Sequence, residues 1–286
     1  MDKTSTYRIP FILLLSVSLG ILSCNQSDHT IKMKGSDTEV NLAVNLAEQF
    51  NKIDHSFIIS ISGGGSGLGI TSLLNGQADI ANSSRPLTDE EKQMFKNKNI
   101  ELKSVVFAED ATAFVVNEDN EIDEIDVKTL GKIMDGEISN WKSVSGLDLP
   151  VNIYGRQSSS GTHSFIKKKL AIEYSPKAKE MTGNAQILEG IKIDKSGIGY
   201  VGAGYISKNA KENKGIKVLK IKVNPNSVAV SPLDSASIKS RNYFFQRPLY
   251  QFIPAKSWQK VKPFIDFETK GLGRLIIENS GYYLIN

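Results

Sequence analysis

The feature that most constrains this chain is a βαβ alternation in which strand-like runs feed into loops of glycine, serine and threonine, and those loops open helices. Residues 30–34 are strand-like. In 39–51, Ala43, Leu46, Ala47 and Phe50 fall at i, i+3, i+4 and i+7, the stripe of a helix with one face on a core. Strand-like 57–61, helical 68–74 and strand-like 79–82 continue the pattern, and Thr88 with Glu91 has the spacing of a capping box that starts another helix. Strand-like 105–107 and 113–116 flank a crossing near 108–112. A second block follows, with strand-like 151–154, a helix over 161–170 and strand-like 198–201. The chain returns through Arg247-Pro248-Leu249-Tyr250 into a helix over 257–270 and a last helix and strand over 273–285. At 286 residues the length favours two domains. Two crossings, near 110 and near 244, then imply two α/β lobes of similar size with a cleft between them.

Composition narrows the function. Lys+Arg number 35 against 31 Asp+Glu, a net charge of +4 spread along the chain, so no nucleic-acid partner is expected. A single cysteine, Cys24, excludes a disulfide framework and a thiolate metal cluster. With three histidines, His29, His55 and His163, and no His-Glu-x-x-His pair, neither metal nor cofactor is expected. His163 is expected to be a solvated first-turn residue, and Trp141 and Trp258 to be packing residues.

The N-terminus reads as a targeting segment. Lys3 and Arg8 precede an apolar run over 9–22, interrupted by Pro10, Ser16, Ser18 and Gly20. That run falls short of the roughly 20 residues a membrane span needs. Ile21-Leu22-Ser23-Cys24 resembles the lipobox of bacterial lipoproteins, with Leu22 where the usual pattern has a small residue. The resemblance implies that Cys24 is acylated and becomes the new N-terminus. The expected division is a leader over 1–23, a lipidated tether over 24–30, lobe I over 31–111 with 243–286, and lobe II over 112–242.

Enzyme signatures fail one by one. Gly64-Gly65-Ser66-Gly67-Leu68 lacks the last glycine of a nucleophile elbow, no Gly-x-x-x-x-Gly-Lys loop occurs, and Leu68 stands where a dinucleotide fingerprint needs glycine. What remains is a set of loops: Gly35-Ser36-Asp37-Thr38, residues 62–67, and Arg156-Gln157-Ser158-Ser159-Ser160-Gly161-Thr162. Helix starts present unpaired N–H donors and partial positive charge, hydroxyls add short donors, and Arg156 adds a planar fork for two oxygens of a tetrahedral anion. Each loop also has a plainer reading. Ser36 with Glu39 fits a capping box, the glycine run fits a tight turn, and Arg85 fits a surface ion pair.

These stretches, with Ser83-Ser84-Arg85-Pro86, residues 74–81, 136–141 and 197–201, and Arg247-Pro248-Leu249-Tyr250, resemble the phosphate ABC-transporter solute-binding proteins from about residue 31 to 286. The resemblance implies a type II periplasmic-binding-protein fold, two α/β lobes joined by two crossing strands. It also implies inorganic phosphate as ligand, held by Ser36, Asp37, Thr38, Ser66, Gly67, Ser84, Arg156, Ser160, Gly161 and Thr162. The implied partners are ABC permease subunits with a cytoplasmic ATPase, and a bilayer through acylated Cys24, on the extracytoplasmic side of a bacterial membrane. No catalysis is expected. Ser84 and Ser158 stand where one branch of the family has aspartates, which leaves Asp37 as the carboxylate nominated to accept a phosphate proton. Sulfate or molybdate reception, a phosphatase using Ser66 or Ser160, and a surface adhesin are the competing readings.

Overall fold

The computed structural model describes residues 30–206 and 213–285; the expected leader, Cys24 and nearly all of the tether lie outside the described residues. The elements run β1 (Thr30–Gly35), α1 (Val40–Ile53), β2 (Ile58–Ser62), α2 (Ser66–Leu74), β3 (Ile80–Ser83), α3 (Asp89–Asn97) and β4 (Leu102–Asn117). They continue with β5 (Glu124–Asp126), α4 (Val127–Met134), β6 (Asn152–Arg156), α5 (Gly161–Leu170), β7 (Lys179–Met181), α6 (Asn184–Ile193) and β8 (Gly197–Gly202). The rest is β9 (Ile216–Val218), β10 (Lys220–Lys222), α7 (Ser235–Lys239), β11 (Gln246–Pro254), α8 (Trp258–Glu268) and α9 (Gly271–Asn279).

Burial follows the sequence pattern. In β1, Ile31 and Met33 are buried and Lys32 between them is exposed, the two-residue period of a strand. Helix α1 buries Leu42, Ala43, Leu46 and Phe50, with Ala47 only half-buried. Burying each such large side chain is worth about 1.5–3 kcal/mol. The capping box at α3 forms as its spacing suggests: Thr88 Oγ1 accepts from the Glu91 N–H at 3.1 Å, and the Glu91 carboxylate accepts from the Thr88 N–H at 2.8 Å.

The strands form one curled sheet in the order β2-β1-β3-β11-β4-β8-β6-β7, with β9 also on β4. Strands β1, β2 and β3 are parallel, as are β8, β6 and β7, while β11 and β4 run antiparallel between the two groups. The molecule is thus two α/β lobes. One core gathers Leu42, Leu46, Phe50 and Phe264, the other Phe114, Trp141, Tyr200 and Phe245.

Strand β4 differs from expectation. The sequence suggests two short strands around a crossing, because Glu109 and Asp110 interrupt the apolar pattern. The structure has a single strand that pairs with β11 over 102–111 and with β8 over 112–116, so backbone pairing carries it through. A bulge at Leu249/Tyr250 shifts the β4–β11 register there. The end of the chain also differs: α9 is followed by an isolated bridge between Tyr283 and Glu109 rather than a strand. The C-terminal ends of β1, β2, β3 and β6 carry the Ser36, Ser66, Ser84 and Arg156 loops, the end at which open α/β sheets bind ligands.

Candidate functional site

Three loops of the first lobe meet through their hydroxyls. Ser36 Oγ donates to Ser84 Oγ at 3.1 Å, Ser66 Oγ accepts the Ser84 N–H at 3.1 Å, and Ser66 Oγ lies 3.4 Å from Ser84 Oγ. All three serines are buried. The Ser36–Glu39 capping box does not form. Glu39 itself precedes the first helical residue of α1 and makes no side-chain cap bond, while Ser36 Oγ accepts the Thr38 N–H at 3.3 Å.

The second lobe closes on this cluster with the start of α5. A Cβ at Gly161 would lie 2.2 Å from Ser66 Oγ and 2.6 Å from Ser84 Oγ, so only glycine allows that approach. Thr38 Oγ1 and Thr162 Oγ1 are 3.1 Å apart, and the Gly67 N–H donates to Ser159 O at 2.9 Å. Gly65, at φ +98°, sits where a side chain would strike Ser159 O at 2.7 Å. Ser160 Oγ caps α5 by accepting the His163 N–H at 3.4 Å.

Two arginines flank the hydroxyls. Arg156, 1% exposed, donates from Nε to Met181 O at 3.2 Å and from Nη2 to Thr182 O at 3.0 Å and to the Asp37 carboxylate. Its Nη1 is buried with no protein partner. An unpaired guanidinium nitrogen in a dry interior is costly unless an anion meets it. Arg247 donates from Nε and Nη2 to Asp110 Oδ2 at 3.0 and 2.8 Å, from Nη1 to Ser84 O at 3.3 Å, and from Nη2 to Thr38 Oγ1 at 3.1 Å and Thr162 Oγ1 at 2.9 Å. Ser36, Asp37, Thr38, Ser66, Gly67, Ser84, Arg156, Ser160, Gly161 and Thr162 therefore converge on one place. Ser158 is exposed and stands apart.

The PBP superfamily domain matches residues 24–270. The phosphate-binding protein PstS of Borreliella burgdorferi is 33% identical over 286 residues, covering 96% of this chain and 97% of that one. The chain belongs to the PstS family of phosphate-binding proteins. An ABC-type phosphate transport receptor from Vibrio cholerae is 26% identical, with a TM-score of 0.69 over 89% of this chain and 100% of that one. A Clostridium perfringens protein described as a phosphate ABC transporter substrate-binding protein, with phosphate bound, shares the fold at a TM-score of 0.80. It is 22% identical over 90% of this chain and 100% of that one.

Within this PstS-family chain, Asp37 does not fit the role of a free proton acceptor. Its Oδ1 accepts the Gly64 N–H at 2.8 Å and its Oδ2 faces Arg156. Arg247, Asp110 and Glu39 are the site residues that sequence reasoning passed over. An arginine opening a strand-forming Arg-Pro-Leu-Tyr run, and an acid directly before the mostly apolar residues 111–116, were the available signals. Burial pushes Asp110 up, and Arg247 offsets part of that rise. Burial also lifts Glu39 to about 8, against smaller opposing effects of Ser36 and Arg247.

The plainer readings hold at the margins. Arg85 pairs with Glu91 at 2.7 Å, and Trp141 is fully buried with its indole N–H on Ser196 O at 3.0 Å. His163 is half-buried rather than solvated, its ring 4.5 Å from that of Tyr174, and burial lowers its pKa. A cavity of about 890 Å³ is lined by Pro86, Phe165 and Tyr250 and reaches Ser84 and Arg247 at the edge of the hydroxyl cluster. Among the described residues no group of His, Cys, Asp and Glu is placed to hold a metal, and no helix is long and apolar enough to cross a membrane.

Proposed function

We propose that this protein is an extracytoplasmic receptor that closes two lobes around one inorganic phosphate and delivers it to an ABC permease with a cytoplasmic ATPase, performing no chemistry of its own. In this reading residues 1–23 are a leader, acylated Cys24 and 25–30 form a membrane tether, 31–111 with 243–286 form one lobe, and 112–242 the other. The observation that carries it is the convergence of buried hydroxyls from both lobes beside a guanidinium whose Nη1 has no protein partner. That set of donors, hydroxyls and a guanidinium nitrogen, suits a tetrahedral oxyanion that is held and released. The bound phosphate in the Clostridium perfringens relative and the names of the other relatives support the same ligand.

The ligand would replace the Ser36–Ser84 hydroxyl contact and take up Arg156 Nη1. Hydrogen bonds to a charged group are worth about 1.5–3 kcal/mol each, so four or five reach micromolar affinity, about −8 kcal/mol, after ordering costs. Closure follows because the anion contacts both lobes only when they meet. Calorimetry of the mature protein with phosphate, sulfate and molybdate at pH 7 tests the assignment. Phosphate binding that survives millimolar sulfate is the expected result, and tighter binding of sulfate or molybdate overturns it.

A further inference from the structure

Glu39 is a buried carboxyl at the rim of the site that no protein group holds. It follows Thr38 directly and is fully buried, and neither of its oxygens has a hydrogen-bond partner among the described residues. The Ser36 hydroxyl comes near enough to favour its ionised form without completing a bond of normal geometry. The charged and titratable groups around it come from four parts of the fold: Arg247 on β11, Asp110 on β4, Tyr205 just after β8, and Tyr282 near the C-terminus.

Charge balance decides what Glu39 can be. Arg247 is already matched by Asp110 through two N–H···O contacts, at 3.0 and 2.8 Å, and Arg156 is matched by Asp37. Of the two buried acids beside Arg247, Asp110 has the hydrogen bonds that stabilise a carboxylate and Glu39 has none. An ionised Glu39 would place an uncompensated negative charge in a dry interior, opposite an incoming dianion.

We propose that Glu39 is a proton-bearing positioning residue: it stays a neutral acid, turns its O–H to Ser36 Oγ, and leaves the Ser36 O–H free to point at the anion. Phosphate is then bound only by the protein form that carries this proton. The inference rests on the phosphate reading above. It gives a role to a carboxyl that touches no ligand and acts through Ser36. Burial holds the Glu39 pKa at about 8, so the proton is in place at neutral pH and lost above it. Above that value, binding must draw one proton from solvent. Phosphate itself remains a dianion from there to well beyond pH 9, so the ligand does not supply the effect.

Calorimetry with inorganic phosphate between pH 7 and 9.5, in buffers of different ionisation enthalpy, reads both affinity and proton uptake. The native protein should lose affinity by about tenfold per pH unit above about pH 8, and take up close to one proton per phosphate at about pH 9. Glu39→Gln, which fixes the neutral state, should show a flat profile and no uptake. Binding by the native protein at about pH 9 without proton uptake overturns the proposal, and that measurement stands even where Glu39→Gln does not fold. Absence of phosphate binding at pH 7 would instead overturn the ligand assignment, so the two failures are distinguishable.

Discussion

Two arginine–aspartate pairs flank the hydroxyl cluster, and they are built differently. Arg247 and Asp110 sit on two neighbouring strands at the border between the lobes, both essentially unexposed, and every nitrogen of that guanidinium has a protein partner. Arg156 and Asp37 come from opposite lobes, Asp37 is 16% exposed, and Arg156 Nη1 is left over. The first pair is a fixture of the crossing. The second exists only while the lobes touch, and it keeps a donor in reserve. The lesson is that a buried ion pair can be scaffold or site, and the unsatisfied nitrogen tells them apart.

That contrast can be broken by experiment. The largest effect is expected from Arg247→Met, which strands Asp110 in the interior beside Glu39; thermal or denaturant unfolding without phosphate should show a loss of about 3–5 kcal/mol. Stability within 1 kcal/mol of the parent would erase the distinction. Arg156→Ala should act on the ligand instead. Phosphate affinity falls by at least about a hundredfold, near 2.7 kcal/mol, while the protein stays folded, because water can reach Asp37. Unchanged affinity by calorimetry rejects the site.

The smallest effect concerns a buried acid with no arginine at all. Glu268 is fully buried, accepts one bond from Gln251 Nε2 at 3.1 Å, and is pushed by burial from 4.5 to about 8. The folded protein therefore keeps a proton that the unfolded chain releases between those values. Stability must fall as pH rises through that window, by up to about 1.4 kcal/mol per unit for each such group. Glu39 contributes in the same direction. Glu268→Gln should roughly halve the slope of unfolding free energy against pH, and an unaltered slope would show that Glu268 is ionised in the folded state.

The loops of the site were legible because their chemistry is local. Gly35 to Thr38, Ser66 with Gly67, and Arg156 to Thr162 each lie between a strand-like run and a helical one, and nothing distant is needed to recognise that. The Thr88–Glu91 box was legible for the same reason. Asp110 and Arg247 were not, because their pairing depends on strand register across 137 residues of chain. Glu39 looked like a capping carboxylate, and only the fold reveals that α1 begins after it and that its side chain is enclosed. Strand β4 read as two pieces because pattern sees side chains, whereas continuity came from backbone partners on either side. Helix α4 went unread although Asp126 caps it and Leu130, Ile133 and Met134 supply its buried stripe.

The unbroken passage of β4 from one lobe into the other limits how the protein can open. With Ala111 paired on one side with Gln246 and Thr112 on the other with Gly202, β4 has no slack segment at the border, whereas the second crossing runs through a turn over 241–245. Under the proposed closure around the anion, β4 is thus a shared plank that would have to bend as one piece, and the turn over 241–245 is the softer of the two links.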